Sequence, residues 1–237
     1  LRMDLTQTST YRSLGLNGEE LTALQRFLDM LLSCRVNVSA IRDPVEIEKK
    51  HFLDALSLTN LPFLDRAHGR FVDVGCGNGV PGLVLAIARP ELRITLLESV
   101  KKKCEFLQSA VEALGLRNAR VERLRAEDFG RGAGRSGFDV AVTRAVGSLP
   151  VVAELSVPLL EVGGFFVAMK AAMSDQEWIC GERALAILGV PRVEVVQARP
   201  FEEATDRYLV YGRKTMETPA AYPRRAGIPA KRPLGDG

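Results

Sequence analysis

The stretch "FVDVGCGNGVPG", residues 71–82, runs from an apolar strand carrying one aspartate, Asp73, into glycines at 75, 77 and 79, then into Pro81 and Gly82. A strand that breaks at glycines and restarts as a helix is the opening unit of a doubly wound α/β fold. From there, strand-like runs ("RITLLE", "ARVERLR", "FDVAVTRA", "GGFFVAMK") alternate with helical ones ("VKKKCEFLQSAVEALGL", "SLPVVAELSVPLLEV", "DQEWICGERALAILG"). This alternation predicts a mostly parallel sheet covered by helices on both faces. The last two strands, "VEVVQARP" and "RYLVYGRK", follow each other without a helix, which predicts an antiparallel hairpin at the sheet edge and seven strands in all. Ligands of such sheets sit beyond the carboxyl ends of the strands, near the point where strand order reverses. The positions to watch are therefore Gly75 onward, Glu98, Ala126 with Glu127, Arg144 and Lys170.

The residues ahead of this region read as helices. Asn17 with Glu20 three positions on forms a capping box, followed by Leu21, Leu24, Leu28 and Leu31 at helical spacing. A second helix opens at Asp43 and Pro44 and continues through "VEIEKKHFLDALSL". The organisation is thus an N-terminal helical extension (1–68), a catalytic domain (69–214) and a basic, proline-rich tail (215–237). No stretch is apolar for the roughly 18 residues a membrane helix needs, and the start lacks the order of a secretory signal, so a cytoplasmic protein is expected; it is taken to work as a monomer. Four separated cysteines and two histidines, His51 and His68, argue against a structural zinc site, a disulfide framework or a metal centre. The net charge of +3 is uneven: from Gly212 on, Arg213, Lys214, Arg224, Arg225, Lys231 and Arg232 face only Glu217 and Asp236. Such an end suits a polyanion such as RNA, or is a plain solvated tail.

"GNGVPG" formally satisfies the dinucleotide pattern, but counted from Gly75 the third glycine is replaced by Val80. The order strand, Asp73, Gly75, Gly77, Gly79, helix resembles the cofactor loop of S-adenosylmethionine methyltransferases, with Cys76 between the first two glycines. The glycines let backbone approach the cofactor closely. A carboxylate at Asp73 favours the cofactor's cationic methionine end and would repel a pyrophosphate, which wants bare amides at a helix N-terminus. Glu98, closing the second strand, is placed to accept both hydroxyls of a ribose. Ala126 and Glu127, after the third strand, are suited to reading adenine, or to capping a helix. Lys101, Lys102 and Lys103 lie opposite a buried stripe of Val100, Cys104, Leu107, Val111 and Leu114, and form either a solvated face or an RNA contact.

The methyl acceptor is approached by elimination. After the fourth strand the chain has "FDVAVTRAVGSLP" in place of the Asp/Asn-Pro-Pro-aromatic loop of many exocyclic-amine methyltransferases, and Cys180 in "EWICGE" is not set as a pyrimidine nucleophile. An acceptor with an exposed lone pair and no proton to lose, such as guanine N7, needs neither device. Catalysis would then rest on alignment and on exclusion of water, effects that reach about 7 to 11 kcal/mol when geometry is good. A donor on N7 would block the attacking lone pair, so Arg144 is assigned to cofactor, O6 or phosphate contact, with a fixed salt bridge as the alternative.

These features, with "VNVSAIRDPVEIEKKHFLDALSL", "VDVGCGNGVPGLVLAIARP", "FDVAVTRAVGSLP", "GGFFVAMK" and "YPRRAGIPAKRPL", make nearly the whole chain similar to the glucose-inhibited division protein B family. The resemblance implies a class I, Rossmann-like S-adenosylmethionine-dependent methyltransferase acting on guanine N7 of 16S ribosomal RNA in the small ribosomal subunit. It carries cofactor contacts onto Gly75, Val80, Glu98, Ala126, Glu127 and Arg144. His51 and Asp54, one helical turn apart and shared with the family, either cover the cofactor mouth or orient the base, or form a structural hydrogen-bonded pair, and Arg144, Lys170 and His51 are candidates for catalytic positioning. Lys170, Arg224 and Arg225 are candidates for RNA phosphates. The chain departs from the family pattern at Cys76, at Asn37-Val38-Ser39 and after Lys170, where Ala171 replaces a glycine. A methyltransferase with another RNA or a small-molecule substrate, and a dinucleotide oxidoreductase, are the rival readings.

Overall fold

The computed structural model describes residues 4–5, 9–34, 41–64 and 69–235. His68 and the Asn37-Val38-Ser39 segment lie outside the described residues. Seven strands, β1 (Arg70–Val74), β2 (Arg93–Leu97), β3 (Ala119–Glu122), β4 (Phe138–Arg144), β5 (Leu160–Lys170), β6 (Glu194–Ala198) and β7 (Arg207–Arg213), form one sheet in the order β3-β2-β1-β4-β5-β7-β6. The five strands β1 to β5 are mutually parallel where they pair, and strand order reverses between β1 and β4. The expected terminal hairpin is present, but β7 inserts antiparallel between β5 and β6. Inserted this way, the start of β7 reaches the carboxyl end of β5, with Tyr208 opposite Lys170.

Strand alternation sorts the core into two halves. Phe71, Ile94, Leu96, Val140, Val142, Val167 and Met169 face one side, where they pack with the helix Gly82–Ala88 and with Leu21, Leu24, Phe27 and Leu28 of the N-terminal helix Gly18–Ser33. Val72, Val74, Ala141, Phe166 and Ala168 face the other, against Leu149, Val152, Ala184, Leu185 and Leu234. The N-terminal helices therefore share a core with the sheet. Their start obeys local rules: Asn17 accepts from the amides of Glu19 and Glu20 while Glu20 returns a bond to the Asn17 amide at 2.7 Å. In the helix Lys101–Ala113, Cys104, Leu107 and Val111 are buried as predicted, but Val100 precedes the helix and is 47% exposed.

The helix from Pro44 breaks the simple periodicity. Its first turn is α-helical, Pro44–Ile47, but Glu48–Leu53 is a π-helix, followed by a return to α at Asp54–Leu56. The wide turn puts Glu48, His51, Phe52, Leu53 and Asp54 all on buried positions. π segments free backbone carbonyls from the ordinary ladder and concentrate at functional sites.

The C-terminal segment folds back on the second face and is pinned there. Arg224 donates from its backbone amide and its guanidinium to the fully buried carboxylate of Glu154, at 2.8 and 2.9 Å. Gly227 donates to Glu127 Oε1 at 2.9 Å, and Arg135 donates to the carbonyls of Thr218 and Tyr222. Lys214 is buried, with Nζ donating to the carbonyls of Val157 and Leu160, and burial lowers its pKa to about 8. Two of the six basic residues assigned to the tail are thus internal struts. Arg224→Met leaves Glu154 buried without its partner and is expected to cost about 3 kcal/mol, read by denaturant unfolding, with the tail becoming protease-sensitive.

Candidate active site

Asp73 occupies the fourth position of β1, so its side chain points to the same face as Phe71, and it is 1% exposed. Its Oδ2 accepts the amide of Gly82 at 2.7 Å, at the start of the following helix. Only glycine fits there: a Cβ on Gly82 would stand 2.8 Å from that oxygen and 2.4 Å from Leu96. Oδ1 is buried and has no hydrogen-bond partner. Burial pushes the carboxyl up to about 7, opposed by the Gly82 amide and the charge of Arg144. The sequence reading aimed this carboxylate at a ligand; half of it is committed to bracing strand against helix.

The glycine loop itself is closed on the inside. Gly75 and Cys76 both donate their amides to the Leu97 carbonyl, Gly79 donates to Cys76, and Gly77 donates to Glu98 Oε2 at 3.1 Å. Amides spent this way do not cradle a pyrophosphate, which removes the physical basis of the dinucleotide reading. Gly77, at φ +56°, is the loop's open point, since an added Cβ would meet nothing nearer than 3.8 Å. The side chains of Cys76 and Val80 are buried, so a ligand here meets backbone at those positions.

Glu98 stands just beyond β2 and is 6% exposed. Three amides hold its carboxylate: Ser99 at 2.8 Å and Val100 at 2.9 Å on one oxygen, Gly77 on the other. Lys103 approaches the oxygen that Gly77 holds, at 3.9 Å, so the carboxylate is fixed in place at the end of β2. Ala126 opens the helix Ala126–Arg131 next to the exposed Leu124, while the Glu127 carboxylate turns away to hold Gly227. Glu127 thus anchors the tail through one of its carboxylate oxygens.

The second half of the site forms around Arg144 at the end of β4. Register places Val74 opposite Thr143, which brings Arg144 level with Gly75. Its guanidinium donates to the Lys50 carbonyl of the π-helix at 2.8 Å and to Asp54 Oδ2 at 3.4 Å, and lies 3.2 Å from His51 Nδ1. Arg207, at the start of β7, approaches the other Asp54 oxygen at 3.9 Å. A guanidinium only donates and a carbonyl only accepts, and His51 Nδ1 lies 3.2 Å from Arg144 and 3.1 Å from the Lys50 carbonyl, so the two contacts call for opposite tautomers of the ring. Burial, reinforced by Arg144, holds the imidazole pKa down to about 4. Burial raises the Asp54 carboxyl, with Arg144 and Arg207 pulling it back, and burial lowers Arg144.

These groups line a cavity of about 440 Å³ together with Lys50, Met169, Lys170, Ala171 and Tyr208. Lys170 is there, but its ammonium is engaged by Glu177 at 2.7 Å and the Gly147 carbonyl at 2.9 Å, which fixes the loop after β4 in place of an RNA phosphate. Arg224 is likewise consumed by Glu154, leaving Arg225 exposed. The sequence reading missed Arg207 and the Lys50 carbonyl. Arg207 was hidden because the hairpin pattern does not say which strand β7 joins. No group of described residues is set to hold a metal ion, and no described helix is long and apolar enough to cross a membrane.

Comparison with known proteins identifies the family and the fold. The family profile described as GidB, rRNA small subunit methyltransferase G, matches residues 20–205. The chain is 44% identical to the ribosomal RNA small subunit methyltransferase G of Rubrobacter xylanophilus, over 92% of this chain and 85% of that protein. It is 39% identical to that of Geobacillus thermodenitrificans, over 94% of each. Among solved structures, the S-adenosylmethionine-dependent methyltransferase SibL superposes with TM-score 0.57 at 20% identity, over 69% of this chain and 55% of that one. An S-adenosylmethionine-dependent O-methyltransferase of Thermotoga maritima gives 0.54 at 16% identity, over 81% and 72%. These two share the fold.

The His51 geometry has a pH signature. An unfolded histidine protonates near 6.5, the folded one near 4, so between these values the unfolded state binds the extra proton and stability falls as pH falls. The difference amounts to about 3 kcal/mol, and His51→Gln is expected to flatten it. Nitrogen NMR should show a neutral imidazole down to about pH 4, and a ring that protonates near 6.5 would refute its burial beside Arg144; the tautomer seen reports whether Nδ1 accepts from Arg144 or donates to the Lys50 carbonyl.

Proposed function

The chain belongs to the GidB family, rRNA small subunit methyltransferase G, and from that premise we propose that it methylates N7 of a guanine in 16S rRNA using S-adenosylmethionine. The observation that supports this most directly is the junction of two unlike half-sites. One is a glycine loop whose amides are occupied and whose flanks carry buried carboxylates, and the other is an open cavity around Arg144. The first suits a cation better than a phosphate. Gly75 to Gly79 backbone, Glu98 and Ala126 would hold the cofactor, with Asp73 supplying the negative potential. When bound, the cofactor supplies a methyl group on a sulfonium.

The cavity then has to hold an acceptor that needs no base. Asp54 sits between two guanidiniums and His51 is tied at Nδ1 to Arg144 and the Lys50 carbonyl, so both are committed to holding the pocket, which suits an acceptor that sheds no proton. Guanine N7 has none to lose. Asp54 can accept from the N1–H and N2–H edge of guanine, which leaves the opposite edge, N7, turned to the methyl donor; adenine lacks that donor pair. Arg144 then acts by positioning the 50–54 turn and the base, and the loop after β4, fixed by Lys170 and Glu177, shields the reacting pair from water. The protein is read as a cytoplasmic monomer in which residues 1–68 complete the acceptor pocket and 215–237 brace the domain.

Two measurements test this reading. Labelled cofactor incubated with small-subunit particles from cells lacking the enzyme should place label on a single guanine of 16S rRNA at N7; label only in tRNA, in small molecules or nowhere would overturn the substrate. Cofactor affinity should strengthen as pH rises through about 7, as Asp73 ionises. Asp73→Asn should bind roughly tenfold more weakly and lose that component, about 1.4 kcal/mol, by calorimetry across pH.

A further inference from the structure

A second cavity, of about 420 Å³, lies at the other end of the sheet, where β1, β2 and β3 begin. Arg70, Arg93, Arg117 and Arg120 line it together with Thr95 and Asn118, and no carboxylate belongs to its wall. Parallel register sets the bases of three of these side by side: Arg70 opposite Arg93, and Thr95 opposite Arg120. Arg70 is internally neutralised by Asp139 and Glu161. Arg120 is oriented by a bond from Nε to Thr95 Oγ1 at 3.0 Å, which leaves its terminal nitrogens for another acceptor. Arg117 is exposed and makes no ion pair among the described residues.

The charge continues outward from the cavity. β3 is an edge strand, and from it Arg117, Arg120, Arg123 and Arg125 are all exposed, with Glu122 as the one acid among them. This string runs from the cavity up the free edge to Ala126, where the cofactor half-site begins. Edge lysines and arginines deter strand pairing, but that role does not call for a cavity walled by guanidiniums or for one of them to be held in a fixed orientation. A planar fork of donors fixed over a concave, acid-free surface is the arrangement that grips phosphate oxygens bidentately.

We propose that this cavity and the β3 edge bind the phosphate backbone of the RNA substrate, as an anchor separate from the methyl-transfer pocket. The inference rests on the rRNA reading above. An anchor across the sheet from the acceptor pocket would make the enzyme favour folded RNA that reaches both ends over a short oligonucleotide that reaches one.

The test uses the full chain with Arg117→Gln and Arg120→Gln combined, compared with Arg26→Gln and Arg183→Gln, which remove the same charge from exposed positions on other helices. Binding to protein-free 16S rRNA is followed by fluorescence anisotropy across salt concentrations, cofactor binding by calorimetry and folding by thermal melting. The first pair should weaken RNA binding about tenfold at physiological salt and lower the salt slope by about two, with cofactor affinity and melting unchanged. The single Arg117→Gln should give about half the loss in slope, which guards against a folding effect at Arg120. Equal losses for both pairs, or none, would overturn the anchor. A loss seen with assembled particles and absent with protein-free RNA would overturn it in favour of a ribosomal protein contact. If wild-type protein neither binds nor methylates 16S rRNA, the substrate reading fails first; if it methylates normally and the variants match it, only the anchor fails.

Discussion

A buried carboxylate with one satisfied and one unsatisfied oxygen sets the geometry on which the rest depends. Asp73 pins the start of the helix Gly82–Ala88 to β1 through the Gly82 amide, and this closes the glycine turn into a single shape. Closing it commits the loop amides to Leu97, Cys76 and Glu98. The turn therefore keeps these donors turned inward, with the buried carboxylates of Asp73 and Glu98 on its flanks. A buried acid is costly unless a positive partner arrives, so the same brace that stabilises the turn also biases the site toward a cationic ligand.

Arg144 is the counterpart on the acceptor side. It is buried, yet its charge is met by a carbonyl, a neutral imidazole and a carboxylate at the longer distance of 3.4 Å. That set of partners exists only because the π-helix widens the 48–53 turn and exposes the Lys50 carbonyl toward β4. The N-terminal helices are part of the working site for this reason: they supply three of the groups that hold the arginine still. Holding charge in a fixed, poorly hydrated arrangement is what lets a site accelerate a transfer that requires no proton movement.

Basic residues read from composition proved to have divided duties. Lys214, Arg224 and Lys170 carry charge that the fold spends on Val157 and Leu160 carbonyls, on Glu154 and on Glu177. A run of exposed arginines lies along the β3 edge, a region that a net-charge count by segment does not single out. Where a cation stands in sequence says little about whether an acid will be folded against it.

The sequence by itself determined the seven-strand alternation, the capped N-terminal helix, the glycine turn after Asp73 and the positions of Glu98 and Arg144 at strand ends. These depend on period-two and helical spacing and on local turn chemistry, which neighbours along the chain dictate. Only the tertiary structure decided that β7 slips between β5 and β6 to deliver Arg207, that Glu127 and Arg224 anchor the tail, and that the His51 helix takes a π turn. The first two turn on which distant segments meet, and a partner that lies 70 or 100 residues away leaves no mark on local periodicity.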